Sequence, residues 1–221
     1  MSRDEVRKEI VEACKRLEAN SLVQGASGNV SVRLPVEEGR ELVAITPSGR
    51  PYRILEPQDI LVIDMEGNVV EGEGKPSSEK NAHMTAYRVR ADVNAVIHSH
   101  SVYASALAVA GIDLPCVLDE QVVGIGGPVR VAEFGMSASQ DLADKAMAAM
   151  EQRQAVFLRS HGVLGVGRTL DEVLDVVAMV ERTAKIYVLA RLLGEAPALP
   201  QHIVDIEEKW YRITHGFPTE G

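Results

Sequence analysis

The sequence is poor in cysteine, and the two residues present, Cys14 and Cys116, lie far apart in apolar surroundings. No Cys-x-x-Cys pair occurs, so neither a thiolate metal site nor a dithiol redox centre is indicated. Cysteines in such a setting are typical of buried thiols in a reducing compartment. We therefore expect both side chains to be buried and structural.

Long apolar runs and an excess of basic residues are also missing. No stretch of about 18 apolar residues occurs, and the charged amino-terminal segment does not resemble a signal peptide, so we expect a soluble cytoplasmic protein without membrane contact. The net charge of -9 repels polyphosphates, and nucleic acid is not expected as a partner. An anionic metabolite would need local amides or a metal ion to overcome the same field.

The length of 221 residues predicts one domain over residues 1–221, with residues 200–221 as a terminal helical segment. Apolar periodicity predicts helices over 3–19, 77–90, 101–110, 138–152, from Thr169 to Leu193, and 201–214. Strands are predicted over 29–34, 41–46, 59–64, 94–100, 155–158 and 163–166. The expected caps are Ser77 or Ser78, Ser137 paired with Gln140, and Thr169 paired with Glu172. This order predicts an α/β or α+β fold with helices on a mixed, largely antiparallel sheet.

Three histidines are candidates for a metal site. His98 and His100 are two residues apart in an apolar strand, so both rings face the same side of the sheet, with Cα atoms about 6.5 Å apart. The pair alone is also compatible with ordinary core or turn histidines. His161, which follows another strand and precedes Gly162, would complete the three-histidine set of a catalytic divalent cation, most often zinc.

Helix starts and glycine turns suggest an anion site close to these histidines. Glu79 follows Ser77 and Ser78 at a predicted helix start, where hydroxyls and free amides can hold an oxyanion beside a carboxylate that moves protons. Ordinary caps and a solvated glutamate are the alternatives. The turns at 25–29 and 46–49 can form phosphate-binding nests, although such turns mostly only reverse the chain. His83, one turn after Glu79, is expected to be packed or hydrogen-bonded, not a ligand.

Five motifs in order resemble the class II aldolase and ribulose-phosphate epimerase family typified by fuculose-phosphate aldolase. The motifs are GNVSVR at 28–33, ITPSG at 45–49, PSSE at 76–79, AVIHSH at 95–100 and SHG at 160–162. The resemblance implies a three-layer α/β/α sandwich and a homotetramer with active sites at subunit interfaces. It also implies that His98, His100 and His161 bind a divalent ion, usually zinc. The residues implied for the substrate phosphate are Gly28, Asn29, Ser48, Gly49, Ser77 and Ser78.

The resemblance also assigns catalytic roles. Glu79 matches the glutamate that ligates the resting metal in the aldolases and then acts as acid and base, whereas the epimerase branch has aspartate there. The aldolases have a tyrosine in the segment matching 118–121, where this chain has Asp119 and Glu120. Glu120 is therefore a candidate for protonating the leaving aldehyde, the alternative being that both carboxylates only line a subunit contact. Tyr211 is a candidate for a second family tyrosine that reaches a neighbouring site, with packing or surface exposure as the alternative.

The expected activity is cleavage of a short ketose 1-phosphate to dihydroxyacetone phosphate and a small aldehyde such as lactaldehyde, with Zn2+, or else Mn2+ or Co2+, as cofactor. The alternative is epimerisation, dehydration or decarboxylation at the same site, which Asp119 and Glu120 keep open. A non-enzymatic assembly module, like the adducin head domain, is disfavoured because all three metal histidines are present.

Overall fold

The computed structural model describes residues 2–36 and 39–218. Its helices are α1 Arg3–Ala19, α2 Lys80–Val89, α3 Val102–Ala110, α4 Asp119–Ile125, α5 Gln140–Met150, α6 Leu170–Leu193 and α7 Gln201–His215. Its strands are β1 Asn29–Arg33, β2 Leu42–Ile45, β3 Leu61–Asp64, β4 Val69–Glu71, β5 Ala95–Ser99, β6 Ala155–Leu158 and β7 Gly162–Gly167. The predicted single domain and terminal segment include residues 1, 37, 38 and 219–221, which lie outside the described residues.

The strands form one sheet in the order β4-β3-β2-β1-β5-β7-β6. Neighbouring strands in this sheet are antiparallel, and a parallel bridge joins Val131 to Phe157 of β6. Strand β5 lies between β1 and β7, with His98 opposite both Asn29 and Leu164. Three strands distant in sequence therefore meet at the predicted site.

Helices cover both faces of the sheet. One apolar core joins the sheet to α1 and α6, a second joins it to α2 and α5, and a third joins β6 and β7 to α3 and α6. Strand β2 shows the alternation that this requires, because Leu42 and Ala44 belong to the first core and Val43 and Ile45 to the second. The predicted three-layer α/β/α sandwich is confirmed.

Two helices begin later than predicted. Glu79 itself is the N-cap of α2, and the Ser77 hydroxyl accepts a hydrogen bond from the Glu79 amide at 3.2 Å, so neither predicted serine caps that helix. The N-cap of α5 is Ser139, which accepts from the Leu142 amide at 3.1 Å; the capping box predicted from Ser137 is wrong. At α5, Ser137 and Ser139 offer equivalent caps, and the choice between them depends on tertiary packing.

The remaining expectations concern short elements, cysteines and membrane spans. The sequence patterns missed β4 and α4, which are only 3 and 7 residues long. Both cysteines are buried and free, and burial raises the pKa of each thiol. Within the described residues, no helix combines the length and apolarity needed to cross a bilayer.

The start of α6 is held by a network around Glu172. Thr169 caps the helix as predicted, accepting from the Glu172 amide at 3.2 Å. The Glu172 carboxylate accepts from the Arg168 amide and from the Gln154 side chain, each at 2.8 Å. Burial acts to raise the pKa of Glu172, but hydrogen bonds from Arg168 and Gln154 prevail and lower it to about 2.

We expect Glu172→Gln to lower the free energy of unfolding at pH 7 by about 1 kcal/mol, a value reduced for solvent screening. A carboxyl whose pKa is lower in the folded state stabilises the protein above its unfolded-state pKa of about 4.5. The deficit should therefore shrink as the pH falls from about 4.5 towards 2. Urea unfolding at several pH values across this range measures the loss of unfolding free energy. Asp175→Asn, at an exposed position on the same helix, is the control. A deficit that does not change with pH contradicts this account.

Candidate metal centre

Three segments of the fold bring Glu79, His98, His100 and His161 together. Glu79 is at the start of α2, His98 lies inside β5, His100 follows that strand, and His161 is in the turn between β6 and β7. One possible ligand atom from each residue lies within 4.8 Å of all the others. The predicted ligand set thus forms a single cluster.

The ring nitrogens and the carboxylate oxygens converge. His98 Nε2 lies 2.7 Å from His100 Nε2 and 3.0 Å from Glu79 Oε2, while His161 Nε2 lies 3.1 Å from Glu79 Oε1. The three ring centroids are 4.6 to 4.9 Å apart. The four side chains thus form one compact group of potential donors.

The chemistry of the donor set fits a divalent cation. His98 Nδ1 donates to the Val163 carbonyl oxygen at 2.8 Å, which leaves the lone pair of its Nε2 facing the other ligands. This lone pair lies beside His100 Nε2 and the Glu79 carboxylate, and one cation can accept lone pairs from all of these groups. Three imidazoles and a carboxylate are also typical donors for zinc-type ions.

The protonation states of His100 and Glu79 also fit the binding of a divalent cation. Burial, followed by the charges of His98 and His161, lowers the pKa of His100 to about 4, so its ring is neutral at pH 7. Burial acts to raise the pKa of Glu79, but contacts with the rings of His161 and His98 outweigh it and hold that pKa well below its usual range. The site therefore offers a charged carboxylate beside a neutral ring, which is the state that binds a cation.

Gly162 allows the turn carrying His161 to pack against β5. A Cβ atom at this position would lie 2.4 Å from the Ser99 carbonyl oxygen and 2.8 Å from His100 Cδ2. The missing side chain therefore lets the two ligand-bearing segments touch.

A cavity of about 190 Å3 adjoins the cluster and brings together the six residues implied for phosphate binding. Glu79 and His100 form part of its wall, and the six are Gly28, Asn29, Ser48, Gly49, Ser77 and Ser78. The amides of Ser48 and Ser77 already donate to the carbonyl oxygens of Lys75 and Thr46. These two serines consequently offer hydroxyl groups to an anion, not the backbone amides that the turn motifs suggested.

Asn29 has a second contact that the sequence motifs did not reveal. It is buried in β1 opposite His98, and its side-chain Nδ2 donates to Glu79 Oε2 at 3.2 Å. His83 is buried as well and hydrogen-bonds to Asn29 and Ser31, which confirms that it is packed and outside the ligand set. The only sequence signal for this contact was polar residues in an otherwise apolar strand.

The structure does not bring Glu120 or Tyr211 to the cluster within one chain. Glu120 lies on α4 and pairs with Arg182 on the surface. Tyr211 is buried under α7, where its hydroxyl donates to the Gln152 carbonyl oxygen at 2.9 Å. The catalytic roles of both residues remain predictions.

Comparisons with known proteins agree with the fold. The family model described as "Class II Aldolase and Adducin N-terminal domain" matches residues 8–188. A 5-deoxy-D-ribulose 1-phosphate aldolase from Bacillus thuringiensis serovar kurstaki is 38% identical over 196 residues, or 88% of this chain and 90% of that protein. A 5-methylthioribulose-1-phosphate/5-deoxyribulose-1-phosphate aldolase from Rhodospirillum rubrum is 32% identical over 220 residues, or 100% and 94%. A solved L-fuculose 1-phosphate aldolase superposes with a TM-score of 0.87 at 38% identity, covering 94% of this chain and 96% of its own.

We expect Gly162→Ala to lower the divalent-ion content after reconstitution with ZnCl2 and to cost about 1–3 kcal/mol of stability, because the added methyl group displaces β5. Elemental analysis and urea unfolding measure the two effects. Gly124→Ala is the matched control, since its Cβ would meet only the flexible end of Met179. Full metal content in the Gly162 variant would contradict the packing role.

Proposed function

We propose that this chain, which belongs to the class II aldolase and adducin N-terminal domain family, cleaves a short ketose 1-phosphate to dihydroxyacetone phosphate and a small aldehyde. Its similarity to known aldolases identifies the chain as a metal-dependent aldehyde-lyase. One observation carries the choice of substrate class: the cavity lined with serine hydroxyls opens directly onto the Glu79 and histidine cluster. The phosphate group and the reacting carbonyl can therefore be held at opposite ends of one small pocket.

The size of the pocket and the relatives support a short ketose. Cleavage of the C3–C4 bond in 5-deoxyribulose 1-phosphate, the substrate named for two relatives, gives dihydroxyacetone phosphate and acetaldehyde. The same cleavage of fuculose 1-phosphate gives lactaldehyde in place of acetaldehyde. We propose that the chain accepts this class, in which the ketose phosphate part is constant and the aldehyde part varies.

The metal is part of the proposal. A bound divalent ion, for which we propose Zn2+ with Mn2+ and Co2+ as alternatives, supplies Lewis-acid stabilisation of the negative charge that develops on substrate oxygens. His98, His100 and His161 would hold it together with Glu79. His98 is also fixed from behind by the Val163 carbonyl, and the turn that carries His161 packs against the end of β5 at Gly162.

Glu79 is proposed as the acid and base. Its carboxylate borders the cavity and is charged at neutral pH, so it can take a proton from substrate carbon and return it. The hydroxyls of Ser48, Ser77 and Ser78 would orient the phosphate group and so place the reacting carbon beside Glu79. Base and substrate are then held by different elements, α2 for the carboxylate and the neighbouring turns for the anion.

Epimerisation, dehydration or decarboxylation is less well supported. Glu79 occupies the position where the epimerase branch has aspartate, and Glu120 is paired with Arg182 away from the cluster. A scaffold without chemistry does not explain a complete ligand set. Exposed apolar side chains such as Leu192, Leu193 and Trp210 support the proposal of a homotetramer. The proposed roles of Glu120 and Tyr211 would then lie at the active site of a neighbouring subunit.

We expect protein reconstituted with Zn2+ to release dihydroxyacetone phosphate from 5-deoxyribulose 1-phosphate or fuculose 1-phosphate. A chelator should abolish the activity, and one of Zn2+, Mn2+ and Co2+ should restore it, because the ion stabilises the developing charge. The release is followed through NADH oxidation by a coupled glycerol-phosphate dehydrogenase, with His98→Ala as the control that lacks a ligand. Formation of an isomeric ketose phosphate, or loss of water, would favour the alternative reactions.

We expect Glu79→Gln to lower cleavage by about 10²- to 10⁴-fold while the protein keeps its metal, since the amide can still offer an oxygen but cannot carry the proton. Hydrogen exchange at carbon 3 of dihydroxyacetone phosphate in D2O, followed by NMR, should fall in parallel. Glu12→Gln, on the exposed side of α1, is the matched control. Unimpaired turnover in the Glu79 variant would remove this residue from the mechanism.

A further inference from the structure

A buried row of hydrogen bonds runs from α2 through β1 to the Glu79 carboxylate. The Tyr87 hydroxyl lies 2.7 Å from Ser31 Oγ, and Ser31 Oγ lies 2.6 Å from His83 Nδ1. His83 Nε2 contacts Asn29 Oδ1, and Asn29 Nδ2 donates to Glu79 Oε2 at 3.2 Å. The four residues behind Glu79 are all buried.

The direction of every bond in this row follows from its last member. An ionised carboxylate only accepts, so Asn29 must present its amide NH2 to Glu79 and its oxygen to His83. That oxygen requires a proton on His83 Nε2, and a neutral ring then has a lone pair on Nδ1. Ser31 consequently donates to His83 and accepts from Tyr87. Each link has one consistent donor, and reversing any of them leaves a buried polar group unsatisfied.

Burial keeps the His83 ring in this neutral form. It lowers the pKa of His83 to about 3, so the ring carries a single proton at neutral pH. The amide of Asn29 can rotate by half a turn about its last bond, and the rotated form would direct its oxygen at the Glu79 carboxylate. His83 Nε2 donates to the oxygen of the Asn29 amide, and the rotated form would lose this hydrogen bond. The proton on His83 Nε2 therefore excludes the rotated form.

We propose that His83 is a positioning residue, which fixes the orientation of the Asn29 amide and through it the orientation of the Glu79 carboxylate at the metal centre. The effect on turnover rests on the proposed function, whereas the hydrogen-bond row does not. His83 touches neither substrate nor ligands; it acts through Asn29. Loss of this support should change turnover more than substrate binding, because the Glu79 carboxylate moves protons and the cavity hydroxyls hold the phosphate.

The kinetic test uses two replacements of similar length and shape. The amide in H83Q has one donor group and one acceptor, as the ring has, whereas H83M provides neither. We expect H83M to lower kcat by about 10- to 100-fold with little change in KM, and H83Q to stay within about threefold of the natural protein. The control is T85V on the same helix, which removes the hydroxyl that accepts from Gln140. Equal kcat values for H83M and the natural protein, or equal losses in H83Q and H83M, would overturn the proposal.

A spectroscopic test on the metal-free protein does not depend on activity, and its first measurement uses the natural sequence alone. Long-range 1H–15N spectra should show His83 protonated at Nε2 and bare at Nδ1 near pH 7, and S31A should shift the Nδ1 signal because its hydrogen-bond donor is gone. The opposite tautomer, or a charged ring, would overturn the proposal. If the natural protein cleaves none of the ketose phosphates, the proposed function fails, while this spectrum still decides the hydrogen-bond row. A normal aldolase with an unaffected H83M variant would instead reject the role of His83 alone.

Discussion

The pairing of β1, β5 and β7 is the constraint on which the site depends. It places Asn29 opposite His98 and brings Leu164, next to the carbonyl that orients the His98 ring, to the other side of β5. A register shift of one residue would turn His98 to the other face of the sheet and separate it from His161. The metal centre is therefore a product of strand register, and α2 only adds the carboxylate.

The site also resolves an electrostatic problem. The chain carries a net charge of -9, yet its proposed substrate is an anion. Among the described residues, the lining of the cavity includes no lysine or arginine, so neutral hydroxyls and a bound cation must supply the attraction. A divalent ion held beside a single carboxylate would leave the centre with net positive charge, which attracts an anionic substrate.

Local patterns were enough to predict most elements and the three candidate histidines, whereas Glu79 as a ligand came from the family resemblance. The period of two at His98 and His100, and the apolar spacing in α1 and α6, depend on residues close in sequence. The cap of α5 was displaced because Ser137 and Ser139 are locally equivalent, whereas α2 starts after both predicted serines, with Glu79 as its N-cap. The contact between His83 and Asn29 joins residues that are distant in the chain, and no single pattern contains it. Roles for Glu120 and Tyr211 depend on a neighbouring copy, which one sequence does not describe.

The ligands and the rim of the cavity belong to different parts of the chain. His98 lies in a central strand, whereas Ala26, Ser27 and Pro47 are in the turns that flank β1 and β2. Sequence changes in those turns can reshape the mouth of the pocket without moving the residues that would bind the cation. The architecture thus separates specificity from reactivity, and one scaffold can diversify among related metabolites without rebuilding its chemistry.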